Sequence, residues 1–327
     1  MEETTITQAW NYIETNLNWL LLACPNSKTL NRLRGIAENT LKNTKANNQV
    51  DVRTHIKQAQ QERHLKELIQ KPLQCNFEKA VAKDQIAIEE SRNWMARTQM
   101  SKTDEKIVFA IRNQTLPLRG IKSKIWKLPG PTVCRICQEQ TETVDHILSG
   151  CGKLGFTDYL HRHNSVAKTI VAATLRSHGR EFHRHWWKHQ VPRCTPLDNS
   201  GESFIQWEPT IPTTVKLDHN KPDLHLKLPT GKHLLIEVTV CRDDLVADRT
   251  EKKAQKYMEL RDNVAAQWGK HVQVLPIAIG VTGVISKQTL HSVRVLNRCG
   301  INLHPSALQK TAAVGSAKIV RRVLSLH

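Results

Sequence analysis

No apolar run in the 327-residue chain is long enough to cross a bilayer: the longest near the start, Trp19-Leu20-Leu21-Leu22-Ala23-Cys24, falls far short of a membrane helix. No membrane partner is expected. The opening Met1-Glu2-Glu3 also lacks the positive stretch of a signal peptide, so the expected setting is a reducing compartment, nuclear or cytoplasmic and not secreted. In such a setting the eight cysteines are thiols or metal ligands sooner than disulfides. Acidic residues are in short supply as well, 30 against 48 lysines and arginines, leaving a formal net charge of +18 and a pI near 9.7. The excess is spread along the whole length rather than confined to one tail. A field of that sign favours polyanions, nucleic acid above all, and the competing reading is a merely basic soluble protein. With 39% hydrophobic residues the chain can build the cores of two or three small domains.

Cys134-Arg-Ile-Cys137 is followed after eight residues by His146 and after four more by Cys151. Three thiolates and an imidazole are a natural tetrahedral set for Zn2+, and with no open position such a site is structural. The short segment around it has few other stabilising residues, so loss of zinc is expected to unfold it locally.

The stretch 221–257 carries a second constellation. From 223 to 228 the residues alternate, Leu224, Leu226 and Leu228 on one side and Asp223, His225 and Lys227 on the other, which is the period of a strand. A second strand is expected over 234–240. Pro229, Thr230 and Gly231 fit a three-residue hairpin loop with Gly in the left-handed position. That register places Asp223 opposite Glu237, on one side of the sheet with Cβ atoms roughly 5 Å apart, so both carboxylates can reach one divalent cation. A loop of two or four residues would put them on opposite faces. Asp248-Arg-Thr-Glu251 then reads as a capping box, and Ala254, Tyr257, Met258, Val264, Ala265 and Trp268 recur at helical spacing, which brings Lys253 and Lys256 onto a helix able to fold back over the acids. Two carboxylates, a hard cation and a lysine suit hydrolysis of a phosphodiester. An ordinary surface hairpin with a Pro-Asp start is the alternative.

Elsewhere, residues 1–90 show helical patterns of unknown role, including a charged helix from Val52 to Ile69, and Thr103-Asp-Glu opens a helix that contains Ile107, Val108 and Ile111. His161-Arg162-His163-Asn164 heads a periodic stretch with Val166, Ile170, Val171 and Leu175. Phe182-His-Arg-His-Trp186-Trp187-Lys188-His189 suits base stacking or, more simply, anchoring in a core. Residues 194–220, with three prolines, read as an irregular excursion around a strand-like Phe204-Ile-Gln-Trp207. A buried strand over 272–280, a helix over 284–299 and a last helix over 305–326 complete an α/β order with a mixed sheet. On the last helix, Lys318, Arg321 and Arg322 share a face that is either solvated or touches phosphates.

Lys221-Pro222-Asp223, Glu237 after thirteen intervening residues, Lys253 and Lys256-Tyr257 together resemble the PD-(D/E)xK nuclease motif in the variant carried by non-LTR retrotransposons with a restriction-like endonuclease. The resemblance extends over residues 91–325. It implies a helical linker over 91–130, a CCHC zinc knuckle over 131–160 and a restriction-like endonuclease core over 161–327. The residue two beyond the acid, where the general motif has its lysine, is Thr239, and the resemblance moves that role to Lys253 first and Lys256 second. It also places Arg162 and His163 near the acids, as candidates for phosphate contact or proton handling against a structural role. The implied activity is a Mg2+- or Mn2+-dependent DNA endonuclease that nicks target DNA to expose the 3′ hydroxyl priming reverse transcription. DNA, the element's RNA and a reverse transcriptase supplied in trans are the implied partners. The aromatic-x-Asp-Asp signature of the polymerase is missing, since Cys241-Arg-Asp-Asp244 lacks the aromatic residue and reads as a strand end. The rival reading is a catalytically inactive zinc-knuckle fragment that only binds nucleic acid.

Overall fold

The computed structural model of the chain describes residues 28–29, 31–35, 52–70, 75–180, 190–269 and 271–326. The runs 19–24 and 182–189, and with them the expected stacking or anchoring by Trp186 and Trp187, lie outside the described residues. The chain divides into two compact units, residues 1–72 and 73–327. In the first, helix α1 (Val52–Ile69) occupies the span that its charge pattern predicts, with Arg63 3.6 Å from Glu67 one turn on.

The second unit is mixed α/β, built on a five-stranded sheet: β1 (Cys194–Pro196), β2 (Phe204–Trp207), β3 (Leu224–Lys227), β4 (His233–Cys241) and β5 (Val272–Gly280). They lie in sequence order, antiparallel from β1 to β4 and parallel between β4 and β5. Around the sheet run α2 (Asn76–Val81), α3 (Ile88–Asn93), α4 (Lys102–Arg112), α5 (Arg119–Lys124), α6 (Leu160–Ser177), α7 (Val246–Lys256), α8 (Met258–Trp268), α9 (Lys287–Arg298) and α10 (Pro305–Leu324). The supposed excursion over 194–220 in fact donates two strands to the sheet's far edge. Helix α4 starts one residue before Thr103, because Ser101 is the cap and accepts from the Asp104 N–H.

Both faces of the sheet are covered, which is why β4 reads as an almost unbroken apolar run. Leu224, Leu226, Leu234, Ile236 and Val238 pack with Val166, Ile170 and Val171 of α6, Val293 and Leu296 of α9 and Leu308 of α10. On the other face Leu235 meets Tyr257, Leu260 and Val264. A further core joins three segments that the sequence divides: Ile111, Leu118 and Ile121, then Cys134, Ile147, Leu148 and Cys151, then Ile319, Val320 and Val323 of α10. Packing therefore runs uninterrupted across 130 and 160. The metal-ligand segment does not lack a core, contrary to the expectation from its sequence, because α10 returns from the far end of the chain to supply one. Among the described residues no helix is long and apolar enough to cross a membrane.

Candidate active site and metal centre

The hairpin between β3 and β4 has the expected register. Leu228 N–H donates to Lys232 O at 2.9 Å, Gly231 N–H donates to Leu228 O at 2.9 Å, and Gly231 takes a φ of 76°, where a side chain would be strained. The ladder pairs Leu224 with Ile236 and Leu226 with Leu234, so Asp223, one residue before β3, falls opposite Glu237. Asp223 Oδ2 accepts from Val238 N–H at 2.6 Å. Glu237 is 3% exposed, and its Oε2 is buried with no hydrogen-bond partner, while its Oε1 takes both lysines.

Lys253 Nζ donates directly to Glu237 Oε1, and Lys256 Nζ lies 3.5 Å from the same oxygen. Both come from α7, which starts at Val246 rather than at the Asp248 capping box. A tight turn, Asp243–Leu245, feeds straight into the helix, and Asp248 sits exposed in its first turn. The single helix expected to run to Trp268 is two, α7 and α8, broken at Tyr257 with φ −107° and ψ 13°. That break turns Tyr257 inward to 1% exposure, where its hydroxyl donates to Lys221 O at 2.8 Å and accepts from Lys256 Nζ at 3.0 Å. Burial, then the negative charge of Glu237, pushes the Tyr257 phenol well above its usual range. It is a neutral strut that ties the lysine helix to the Lys221-Pro222-Asp223 entry of the hairpin.

The neighbours Arg162 and His163 part company, as side chains about 100° apart around a helix do. His163 Nε2 lies 3.1 Å from Val238 O and 3.3 Å from Asp223 Oδ2, and Nδ1 lies 3.1 Å from Asn164 Oδ1. Burial alone would lower its pKa, but the hydrogen bond and charge of Asp223, with Asn164 and the Val238 carbonyl, push it up to about 9. Both ring nitrogens thus face oxygens, the pattern an imidazolium satisfies. Arg162 is 2% exposed and points into the core, donating to Leu148 O at 2.8 Å and Ser316 Oγ at 3.1 Å. Burial lowers its pKa to about 10. No phosphate can reach it, so of its two sequence-based roles the structural one applies: it braces α6 against α10 and the metal-ligand segment. Arg321 and Arg322 are likewise occupied, by Asp104 at 3.0 Å and by Asp158.

Cys134, Cys137, His146 and Cys151 converge, their ligand atoms all within 4.8 Å of one another. This group can hold a metal such as zinc. His146 Nδ1 faces Gln140 Oε1 at 3.0 Å, so with the proton there Nε2, 3.4 Å from Cys137 Sγ, keeps its lone pair for the ion. Ile136 N–H approaches Cys134 Sγ at 3.4 Å and Glu139 N–H approaches Cys137 Sγ at 3.5 Å, as donors to thiolates do. Burial and the two neighbouring thiols push Cys151 up to about 11, which a bound cation would reverse. Beside the group Arg135 grips Glu142 with two contacts of 2.9 Å. Against burial, which acts the other way, Arg135 and the backbone N–H groups of Arg119 and Arg135 hold the Glu142 carboxyl below its ordinary value.

Sequence reasoning missed the Val238 N–H, Gln140 and the Arg135–Glu142 pair. The first is invisible because any residue supplies an N–H, and the other two are ordinary polar residues until folding brings them to a ligand. Asn164 had a signal, its place directly after His163. No protein-family model matches the chain, and no curated protein matches it.

Proposed function

We propose that residues 73–327 hydrolyse phosphodiester bonds in DNA at the site formed by Asp223, Glu237, Lys253, Lys256, Tyr257 and His163. One observation carries the reading: Glu237 keeps a buried carboxylate oxygen without a partner, on the strand position opposite Asp223, with two lysines on its other oxygen. A buried acceptor left unmatched is costly, so an oxygen of this kind is suited to a ligand that the chain itself does not supply. Asp223 and Glu237 would hold Mg2+ or Mn2+, and the cation when bound supplies charge neutralisation and an acidified water.

The chain's own residues do the rest. The Val238 N–H and the His163 imidazolium fix Asp223 in place. Lys253 stands where Thr239 cannot, presenting an ammonium beside the acids to meet charge that develops on the scissile phosphate. Lys256, held over the Tyr257 ring at 4.6 Å from its centre, adds a second cation. His163, protonated at neutral pH, acts as a fixed charge and proton donor rather than as a general base.

The resemblance to the retrotransposon endonucleases extends the proposal. The cut is a nick in target DNA whose 3′ hydroxyl primes reverse transcription, with the element RNA and a polymerase in trans as further partners, in a nuclear or cytoplasmic setting. The cysteine and histidine group would be a structural zinc knuckle beside a restriction-like core. The second reading, a binding fragment without turnover, draws on the same lysines, since two ammonium groups on one carboxylate also make a closed ion-pair cluster. Manganese titration of the full chain, read by electron paramagnetic resonance, separates the two. One Mn2+ site should be lost in Asp223→Asn and in Glu237→Gln, and binding that is unchanged in both variants contradicts the proposal.

A further inference from the structure

Strand β5 closes one side of the sheet, and among the described residues no strand lies beyond it, only an isolated bridge between Ile279 and Ile285 near its end. Successive residues of a strand point their backbone groups to alternate sides. His271 O accepts from His233 N–H on the β4 side, and so the groups of residues 272, 274, 276, 278 and 280 face the free edge. Most of that edge is already closed. Gly280 N–H donates to Val284 O, Ala278 meets the Thr289 hydroxyl through both its N–H and its carbonyl, and Pro276 O accepts from Ser292 Oγ at 2.9 Å. Val272 and Val274 remain, and among the described residues nothing pairs with the outward N–H or C=O of either.

They form the floor of a groove of about 770 Å3 between α8 and α9. Its walls carry Lys232, Arg261, His271, His291 and Arg298, and no acidic residue lines it. Arg261 is matched by Asp262 at 2.6 Å, and His271, His291 and Arg298 are exposed. We propose that this edge is a docking site for an extended acidic segment of a partner protein, which adds to the sheet beside Val272–Leu275 as a sixth strand. Charge selects the occupant. A second copy of a chain carrying +18 would bring like charge to a basic groove, whereas a peptide bearing Glu or Asp complements it. The backbone argues against nucleic acid, because phosphates only accept and would leave the Val272 and Val274 carbonyls unmatched, while a peptide edge offers donor and acceptor in turn.

The molecule suggests its own test. Pro276 sits in the same outward phase two residues on, so the edge tolerates a residue without an N–H, and Val274→Pro removes one docking donor without touching the β4–β5 ladder. The probe is a labelled, end-capped peptide of alternating Glu and Val about eight residues long, followed by fluorescence anisotropy on the full chain. Binding should saturate, weaken as salt rises, and fall by about fivefold or more in Val274→Pro, the size of a lost ladder bond. Arg298→Glu should weaken it further, and the peptide with its central valine replaced by proline should bind worse. Should Val274→Pro fail to fold, amide exchange in the unaltered chain decides: saturating peptide should slow exchange at Val274. No saturable binding, equal binding by folded Val274→Pro, an unchanged Val274 amide, or displacement of the peptide by short duplex DNA that protects the same amide would each overturn the proposal.

Discussion

His163 shows how one side chain reports on the site. Its pKa, about 9 in the folded chain against the ordinary 6.5, is raised by Asp223 over the opposing effect of burial. A group whose folded pKa is raised contributes stability that is whole below its unfolded value and is lost as pH climbs through the folded one. Thermal stability attributable to the His163–Asp223 pair should therefore be complete below about pH 6.5 and gone by about pH 9. The melting temperature should fall between those limits in the unaltered chain and stay flatter in His163→Ala, and parallel curves would remove the pair from the account. The lysines can be ranked in the same way. Lys253 touches Glu237, Lys256 stands at 3.5 Å, and Lys252 is exposed. Lys253→Ala is expected to slow strand cleavage by at least about a hundredfold, as loss of a preorganised electrostatic partner does, with Lys252→Ala nearly silent. If single-turnover rates make Lys256→Ala the damaging change and Lys253→Ala the mild one, Lys256 is the residue that meets the phosphate.

Among the elements, the hairpin was the most legible in the sequence. Three loop residues with a glycine in the left-handed position fix a register, and the register puts two acids opposite each other. The helix after it was legible only in part. Its true start at Val246 carries no side-chain cap, so a capping pattern with Asp248 as the cap misled by three residues, and the break at Tyr257 has no proline or glycine to announce it. What decides that break is distant, the Lys221 carbonyl that the tyrosine hydroxyl must reach. The cysteine and histidine group could be read from spacing alone, but its setting could not, since Ile319, Val320 and Val323 come from a helix far along the chain. That packing changes an expectation about zinc. Chelation should lower the midpoint of one cooperative transition by at least about 5 °C and speed amide exchange in the last turns of α10. A separate early melt confined to residues 131–160, with α10 untouched, would restore the picture of an isolated metal-held segment.

For the molecule as a whole, the proposal takes a charge of +18 as the source of an affinity for DNA that selects no sequence and, driven by release of counterions, should weaken steeply as salt rises. On the proposed reading, binding and turnover rest on different parts of the structure: the first on cations spread along the chain, the second on the few groups gathered around Glu237. Removing one carboxylate from a chain so strongly positive should leave the first intact and abolish the second, and this separability is the central claim. It is tested most directly by nicking of supercoiled plasmid in Mg2+ or Mn2+, with DNA retention measured on the same samples, for the full chain and for Asp223→Ala and Glu237→Ala. The account predicts open-circular product from the unaltered chain only, with all three proteins retaining DNA alike. Nicking that persists in Glu237→Ala, or DNA retention lost in step with cleavage in both folded variants, would contradict it.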